Sequence, residues 1–362
     1  MTDKVFWNGR VEALLPYVPG EQPRMAGLVK LNTNENPYPP SPLVLEAIRE
    51  AASGNLRLYP DPGCAALREA VSESYGVRPE QVFAGNGSDE VLAFAFGAFF
   101  EAPSRPVLFP DITYSFYPVY AKLWDIPARE VPLLEDFTID TDAYDAGTVF
   151  PNPNAPTGIA LPPGAIKGLA ERLAAQNRVL IVDEAYQAFG AESAVSLIRE
   201  NPNLLTVHTL SKSASLAGLR VGFAIGPRPL IEALERIRDS FNSYTVDAIA
   251  QAAARAAVLD RAYCGEVNKK VIKTRERVSA ALAALGFTSL PSAANFIFTK
   301  PPPPICAARL FTILRENGIL VRHFDRDRAR DYLRVSIGRD DGMDKLLEVC
   351  GRLMRDARAY AE

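Results

Sequence analysis

Leu204–Gly226, LLTVHTLSKSASLAGLRVGFAIG, is the stretch that decides the fold of this chain. Its two apolar runs, Leu204–Thr209 and Leu219–Gly226, read as strands. Between them Lys212 stands among serines and small residues, with Arg220 eight positions later. A lone lysine is ordinarily a solvated surface group. One flanked by hydroxyls and followed by a guanidinium suits a Schiff-base lysine beside a phosphate site.

Upstream, strand-like runs recur at Val107–Phe109, Glu130–Leu133, Thr148–Phe150 and Val179–Val182. Helical patterns at Ala165–Gln176 and Leu230–Ser240 lie between strands, an alternation that predicts an α/β unit with a mostly parallel mixed sheet between helices. Ligands in such sheets gather beyond the carboxyl ends of the strands. The polar residues follow that rule, with Asn152 and Asn154 after Thr148–Phe150, Asp183 after Val179–Val182, and Lys212 after Leu204–Thr209. Farther upstream a short strand, Gln81–Ala84, runs into Gly85-Asn86-Gly87-Ser88-Asp89-Glu90 and an apolar helix, Val91–Phe100. That turn suits either an anion site at a helix N-terminus or a plain capped turn.

Residues 1–40 hold many turn formers and little periodicity, yet Phe6, Trp7, Leu14, Leu15 and Tyr17 imply packing. A helix is predicted from Ser41, with Pro42 in its first turn, and a second through Leu67 and Val71 to about Tyr75. Beyond Thr245 the chain reads helical to about Leu285, broken near Leu259–Gly265. It then reads as strand Asn295–Thr299, a Pro301–Pro304 loop, helix Ala307–Asn317, strands Leu320–His323 and Tyr332–Ile337, and a closing helix from about Asp341. The expected division is a large unit over 38–247, and a smaller α+β unit of 1–37 plus 248–362. At 362 residues, two units are the expectation.

Composition narrows the chemistry. With 48% hydrophobic and 23% charged residues the chain reads as soluble and globular, and a net charge of −3 gives no argument for nucleic acid or an anionic membrane. Met1–Arg10 is polar, unlike a targeting signal, and the longest apolar run is too short to span a bilayer, so a cytoplasmic location is expected. Four scattered cysteines and two histidines suggest no disulfide framework, no zinc site and no other metal. Proton transfer therefore falls to another group. Lys212, Asp183 and a phosphate loop together answer the needs of pyridoxal 5'-phosphate. The amine attaches to the cofactor, the carboxylate holds the ring nitrogen protonated, and the loop binds the phosphate.

Nearly end to end, the chain resembles the fold-type I pyridoxal-phosphate aminotransferases, and within them the histidinol-phosphate aminotransferase branch. The carriers are Leu31–Tyr38 (LNTNENPY), Tyr59-Pro60-Asp61, Gly85–Glu90 (GNGSDE), Asn152–Gly158 (NPNAPTG), Asp183–Tyr186 (DEAY), Ser211–Gly222 (SKSASLAGLRVG) and Leu333–Gly338 (LRVSIG). The resemblance implies transamination between L-histidinol phosphate and 2-oxoglutarate, an amino donor and a 2-oxo acid. It implies Lys212 as Schiff-base lysine and proton shuttle, Asp183 at the ring nitrogen, Tyr186 at the 3'-oxygen and Tyr114 stacked on the ring. Ser88, Asp89, Ser211 and Arg220, with Thr209 nearby, would surround the phosphate. Tyr59 would arrive from the other subunit of a homodimer, and Arg334, Arg322 and Tyr17 would hold the substrate anion. The family's Asn before Pro-Thr-Gly is Ala155 here, leaving Asn154 or Tyr186 for the 3'-oxygen. An aromatic or general amino-acid aminotransferase, or a threonine-phosphate decarboxylase, would share much of this set.

Overall fold

A computed structural model describes residues 6–17, 20–23 and 27–359. The first five residues of the polar Met1–Arg10 stretch lie outside them. Seven strands form the main sheet: β2 (Val82–Gly85), β3 (Val107–Pro110), β4 (Ala128–Val131), β5 (Gly147–Pro151), β6 (Leu180–Asp183), β7 (Leu204–Thr209) and β8 (Gly222–Ile225). Their spatial order is β2-β8-β7-β6-β5-β3-β4, with every pairing parallel except those of β8, which runs against both neighbours.

Period-2 alternation builds the core. Leu180, Val182, Leu204, Phe223 and Ile225 join the cluster on one face, while Ile181, Leu205, Val207 and Ala224 join that on the other. Both faces are covered, so β7 is buried along its whole length, Thr206 and His208 included.

The smaller unit is built on an antiparallel sheet of order β12-β13-β10-β9, from β9 (Thr288–Ser289), β10 (Phe296–Lys300), β12 (Arg322–His323) and β13 (Leu333–Ser336). Beside it β1 (Val29–Lys30) pairs in parallel with β11 (Ile319–Leu320), tying the N-terminal segment to the C-terminal part of the chain. The single strand expected over Leu320–His323 is thus two short ones in different sheets. The long helical stretch breaks only at Asp260, which ends the Ala248–Leu259 helix and caps Arg261–Ala284.

One boundary error bears on the site. The helix expected at Val91–Phe100 begins at Gly87, because Glu90 Oε2 accepts the Asn86 N–H at 2.7 Å and closes the first turn. Ser88 and Asp89 therefore stand on a helix N-terminus, where free N–H groups face outward. Among the described residues no helix is long and apolar enough to cross a membrane.

Candidate active site

Strand register gathers the chemistry at one edge. Pro151 pairs with Asp183, Asp183 with Val207, Thr209 with Gly222, and Gly222 with Gly85. The carboxyl ends of β2, β5, β6 and β7 are thereby level. Because β8 is antiparallel, the residues just before it, Arg220 included, meet the same edge.

Ser88, Asp89, Tyr114, Asp183, Tyr186, Thr209, Ser211, Lys212 and Arg220 line one cavity of about 260 Å³ there. Tyr17, Arg322 and Arg334 line an adjoining vestibule of about 240 Å³, shared with Tyr114, Tyr186 and Lys212. A larger concavity of about 740 Å³ lies elsewhere, against Tyr75, Arg261 and Asn268, and holds none of these groups.

At the phosphate end, Arg220 Nη2 contacts Asp89 Oδ2 at 2.9 Å and its Nη1 donates to Ser211 Oγ at 3.3 Å. Tyr114 Oη donates to the other Asp89 oxygen at 2.7 Å. The Asp89 carboxylate is thus occupied in orienting Arg220 and Tyr114, and what it offers an incoming anion is its backbone position. Arg220 adopts φ +54°, a left-handed conformation that a non-glycine residue holds only when its surroundings impose it. Gly87 leaves room for the guanidinium, since a Cβ there would lie 2.6 Å from Nη2. Gly222 lets β8 touch the Gly87–Ser88 turn, where a Cβ would come within 2.3 Å of Ser88 N. Gly222→Ala is expected to destabilise the protein by about 1–3 kcal/mol through this backbone clash, and to weaken pyridoxal-phosphate binding. Thermal denaturation and a fluorescence titration check this, and an unchanged Tm would contradict it.

Deeper in, Asp183 is 4% exposed and takes hydrogen bonds from Tyr117 Oη at 3.2 Å and Ala185 N at 3.1 Å. Burial pushes its pKa up to about 7 against these bonds. Such a carboxylate calls for a cation or strong donor in the cavity. Lys212 is half-buried where it lines both cavities, and its ammonium donates to Thr33 O at 3.0 Å. Burial first, then the Arg334 charge, lowers its pKa to about 8, which brings the neutral amine within reach near neutral pH. The buried His208 is stacked on Phe223 at 4.9 Å, and burial pushes its pKa down to about 3. It is a neutral packing group outside both cavities.

In the vestibule, Arg322 and Arg334 sit directly opposite each other in the β12–β13 pair. Like charges so placed repel, and the described lining holds no Asp or Glu to relieve them. Arg334 Nη2 donates to Asn32 O at 2.8 Å, while its buried Nε has no partner. Burial lowers the Arg334 pKa, and Arg322 adds to that. The vestibule is thus built for an anion.

Two expected residues stand apart. Asn154 is 1% exposed, and its amide donates to Ile112 O at 3.0 Å and Thr157 Oγ1 at 3.2 Å while accepting from Thr113 Oγ1 at 3.0 Å. It braces the loop, and Ala155 faces the cavity instead. Tyr59 is 80% exposed and stacked on Tyr244 at 4.5 Å, in neither cavity. Sequence reasoning missed Thr33, Asn34 and Asn36. Asn36 Nδ2 donates to Lys212 O at 3.0 Å, and Asn34 Nδ2 to Tyr186 Oη at 3.0 Å. The available signal was the asparagine density of Leu31–Tyr38. Tyr117, the donor to Asp183, was missed too.

The donor set fits pyridoxal 5'-phosphate: a helix N-terminus with serines and a guanidinium at one end, a buried carboxylate with no ion-pair partner among the described residues, and a lysine and a phenol between them.

The Aminotransferase class I and II family model matches residues 26–349. A histidinol-phosphate aminotransferase of Chromohalobacter salexigens is 54% identical over 97% of this chain and 99% of its own length. One of Pseudomonas entomophila is 53% identical over 95% and 99%. Among solved structures, histidinol-phosphate aminotransferase from Sinorhizobium meliloti in complex with pyridoxal-5'-phosphate superposes with a TM-score of 0.86 at 25% identity, covering 98% of this chain and 99% of that one. A Thermus thermophilus aspartate aminotransferase mutant gives 0.83 at 25% identity, covering 96% and 100%.

Proposed function

The chain belongs to the class I and II aminotransferases, and from that premise we propose that it transfers the amino group of L-histidinol phosphate to 2-oxoglutarate, using pyridoxal 5'-phosphate. The observation that carries the substrate class is the facing pair Arg322 and Arg334, both in a vestibule whose described lining holds no carboxylate and which opens beside Lys212. Guanidinium forks suit phosphate and carboxylate alike, so one site can serve the phosphorylated donor and the dicarboxylic acceptor in turn. The names of relatives more than 50% identical over nearly the whole chain favour the phosphorylated donor.

When bound, pyridoxal phosphate supplies an electron sink conjugated to the donor's Cα. Ser88 and Asp89 on the Gly87–Phe99 helix, with Thr209, Ser211 and Arg220, would hold its phosphate. Asp183 would keep a proton on its ring nitrogen, Tyr114 would cover the ring face, and Tyr186 would donate to its 3'-oxygen. Lys212 would be the attachment point, and its Nζ, once free, would move the proton between the Cα of each substrate and the cofactor's C4'. A pKa near 8 suits that exchange at neutral pH. Arg322, Arg334 and Tyr17 orient the substrate's anionic end. Asn154 acts only by bracing the loop.

A homodimer is part of this reading. Tyr59 and Tyr244 stack on the surface, and Leu56, Leu58 and Phe241 are exposed too, which suits a buried subunit interface from which Tyr59 reaches the other subunit's phosphate. The division at 38–247 is likewise our reading, supported by the seven-stranded and four-stranded sheets being separate. The cytosol is the compartment we assign, supported by cysteines that are all free.

The test is bleaching of the visible cofactor band by single amino donors, with Arg334→Gln beside the wild type. Histidinol phosphate is expected to bleach it fastest, 2-oxoglutarate to restore it, and the variant to raise KM for the donor by about 10–100-fold. Faster bleaching by phenylalanine or aspartate would replace the donor assignment. Carbon dioxide release from O-phosphothreonine would replace the reaction.

A further inference from the structure

Tyr186 faces the cavity without the asparagine that Ala155 displaces, and its hydroxyl lies at the end of a buried hydrogen-bond chain. Asn34 N–H donates to Ser336 Oγ at 2.9 Å. Ser336 Oγ donates in turn to Asn34 Oδ1, at 2.7 Å. The amide thus turns its oxygen toward Ser336 and its nitrogen toward Tyr186, where Nδ2 donates to Oη at 3.0 Å. Tyr186 already accepts, so its own proton must go elsewhere, and the open side is the cavity it lines.

We propose that Asn34 and Ser336 form a directional relay that aims the Tyr186 hydroxyl proton into the cofactor cavity, doing the work of the missing asparagine at Ala155. Asn34 is a positioning residue, acting through Tyr186. It is 1% exposed, Ser336 2% and Tyr186 9%, so water does not compete for these bonds. Asn295 Nδ2 donates to Asn34 O at 3.0 Å and fixes the backbone, whose φ of +55° is one that asparagine tolerates. Period 2 on β13 puts Ser336 on the same face as Arg334. Substrate anchor and relay thus share one strand. The charges facing Tyr186 are Lys212, Arg334, Asp183 and Asp89, and none of them hydrogen-bonds its hydroxyl among the described residues.

The inference rests on the cofactor reading above, and its test separates the two. Asn34→Asp keeps shape and backbone preference but turns the donor into an acceptor, drawing the Tyr186 proton away from the cavity. The readout is the pH midpoint of the visible band of the pyridoxal-phosphate holoenzyme. A cavity oxygen that loses its donor becomes more basic, and the midpoint is expected to rise by about one pH unit. Ser336→Ala removes the fixing group without adding a charge, and is expected to give a smaller rise. A Tyr186→Phe background controls for the charge, because coupling through the phenol requires the Asn34→Asp shift to shrink there by more than half. A full-sized shift in that background overturns the relay, as does an unmoved midpoint in Ser336→Ala. Absence of any visible band in the wild type with pyridoxal phosphate overturns the cofactor reading itself.

Discussion

Lys212→Ala is expected to abolish covalent attachment of pyridoxal phosphate and to lower transamination by at least about 10⁴-fold, since one group serves as both nucleophile and proton carrier. Borohydride trapping followed by mass spectrometry should find the cofactor on Lys212 in the wild type and nowhere in the variant. The fold should persist. Among the described residues Lys212 makes one side-chain hydrogen bond, to Thr33 O, and its four-residue helix is capped independently by Thr209. Added methylamine is expected to restore part of the proton transfer in the variant. Turnover within tenfold of wild type would remove Lys212 from the mechanism, whatever became of the substrate assignment.

Asp183→Asn keeps the shape of the site and removes its buried charge. Without that carboxylate nothing holds a proton at the inner end of the cavity, and kcat is expected to fall by about 10²–10³-fold or more. A second readout follows from linkage in the cofactor-free protein. There the folded-state pKa of Asp183 is about 7 against an ordinary 3.8, so the folded chain binds the proton more tightly than the unfolded one. Its contribution to stability is complete below the unfolded pKa and is lost as pH rises through about 7. Cofactor-free Asp183→Asn should therefore gain stability relative to wild type between about pH 4 and 7. Glu184, also raised to about 7 mainly by burial, is present in both proteins and largely cancels in the difference. A difference in Tm that is flat across this window would show that Asp183 titrates normally.

Much of this site was legible beforehand because strand chemistry is local. Leu204–Thr209 and Val179–Val182 announce themselves as buried strands, and whatever follows such a strand in an α/β sheet reaches its carboxyl edge. Lys212 and Asp183 could be placed together before any register was known. Asn154 misled because sequence adjacency says nothing about which way a side chain turns in an irregular loop, and here Thr113, Thr157 and Ile112 O take up its amide. Ser88 and Asp89 were placed in a turn that is already helix, since the Glu90–Asn86 closure overrides the glycines around it.

By itself the sequence determined which residues carry reactive groups and on which sheet edge they emerge, because alternation and strand ends are written residue by residue. Tertiary structure alone decided that Arg322 faces Arg334, and that Asn34 lies against Tyr186 and Ser336, 152 and 302 positions away. Those contacts depend on how two sheets and an irregular N-terminal segment close on one another. Their energy comes from burial and from hydrogen-bond direction, quantities that no local stretch of chain contains.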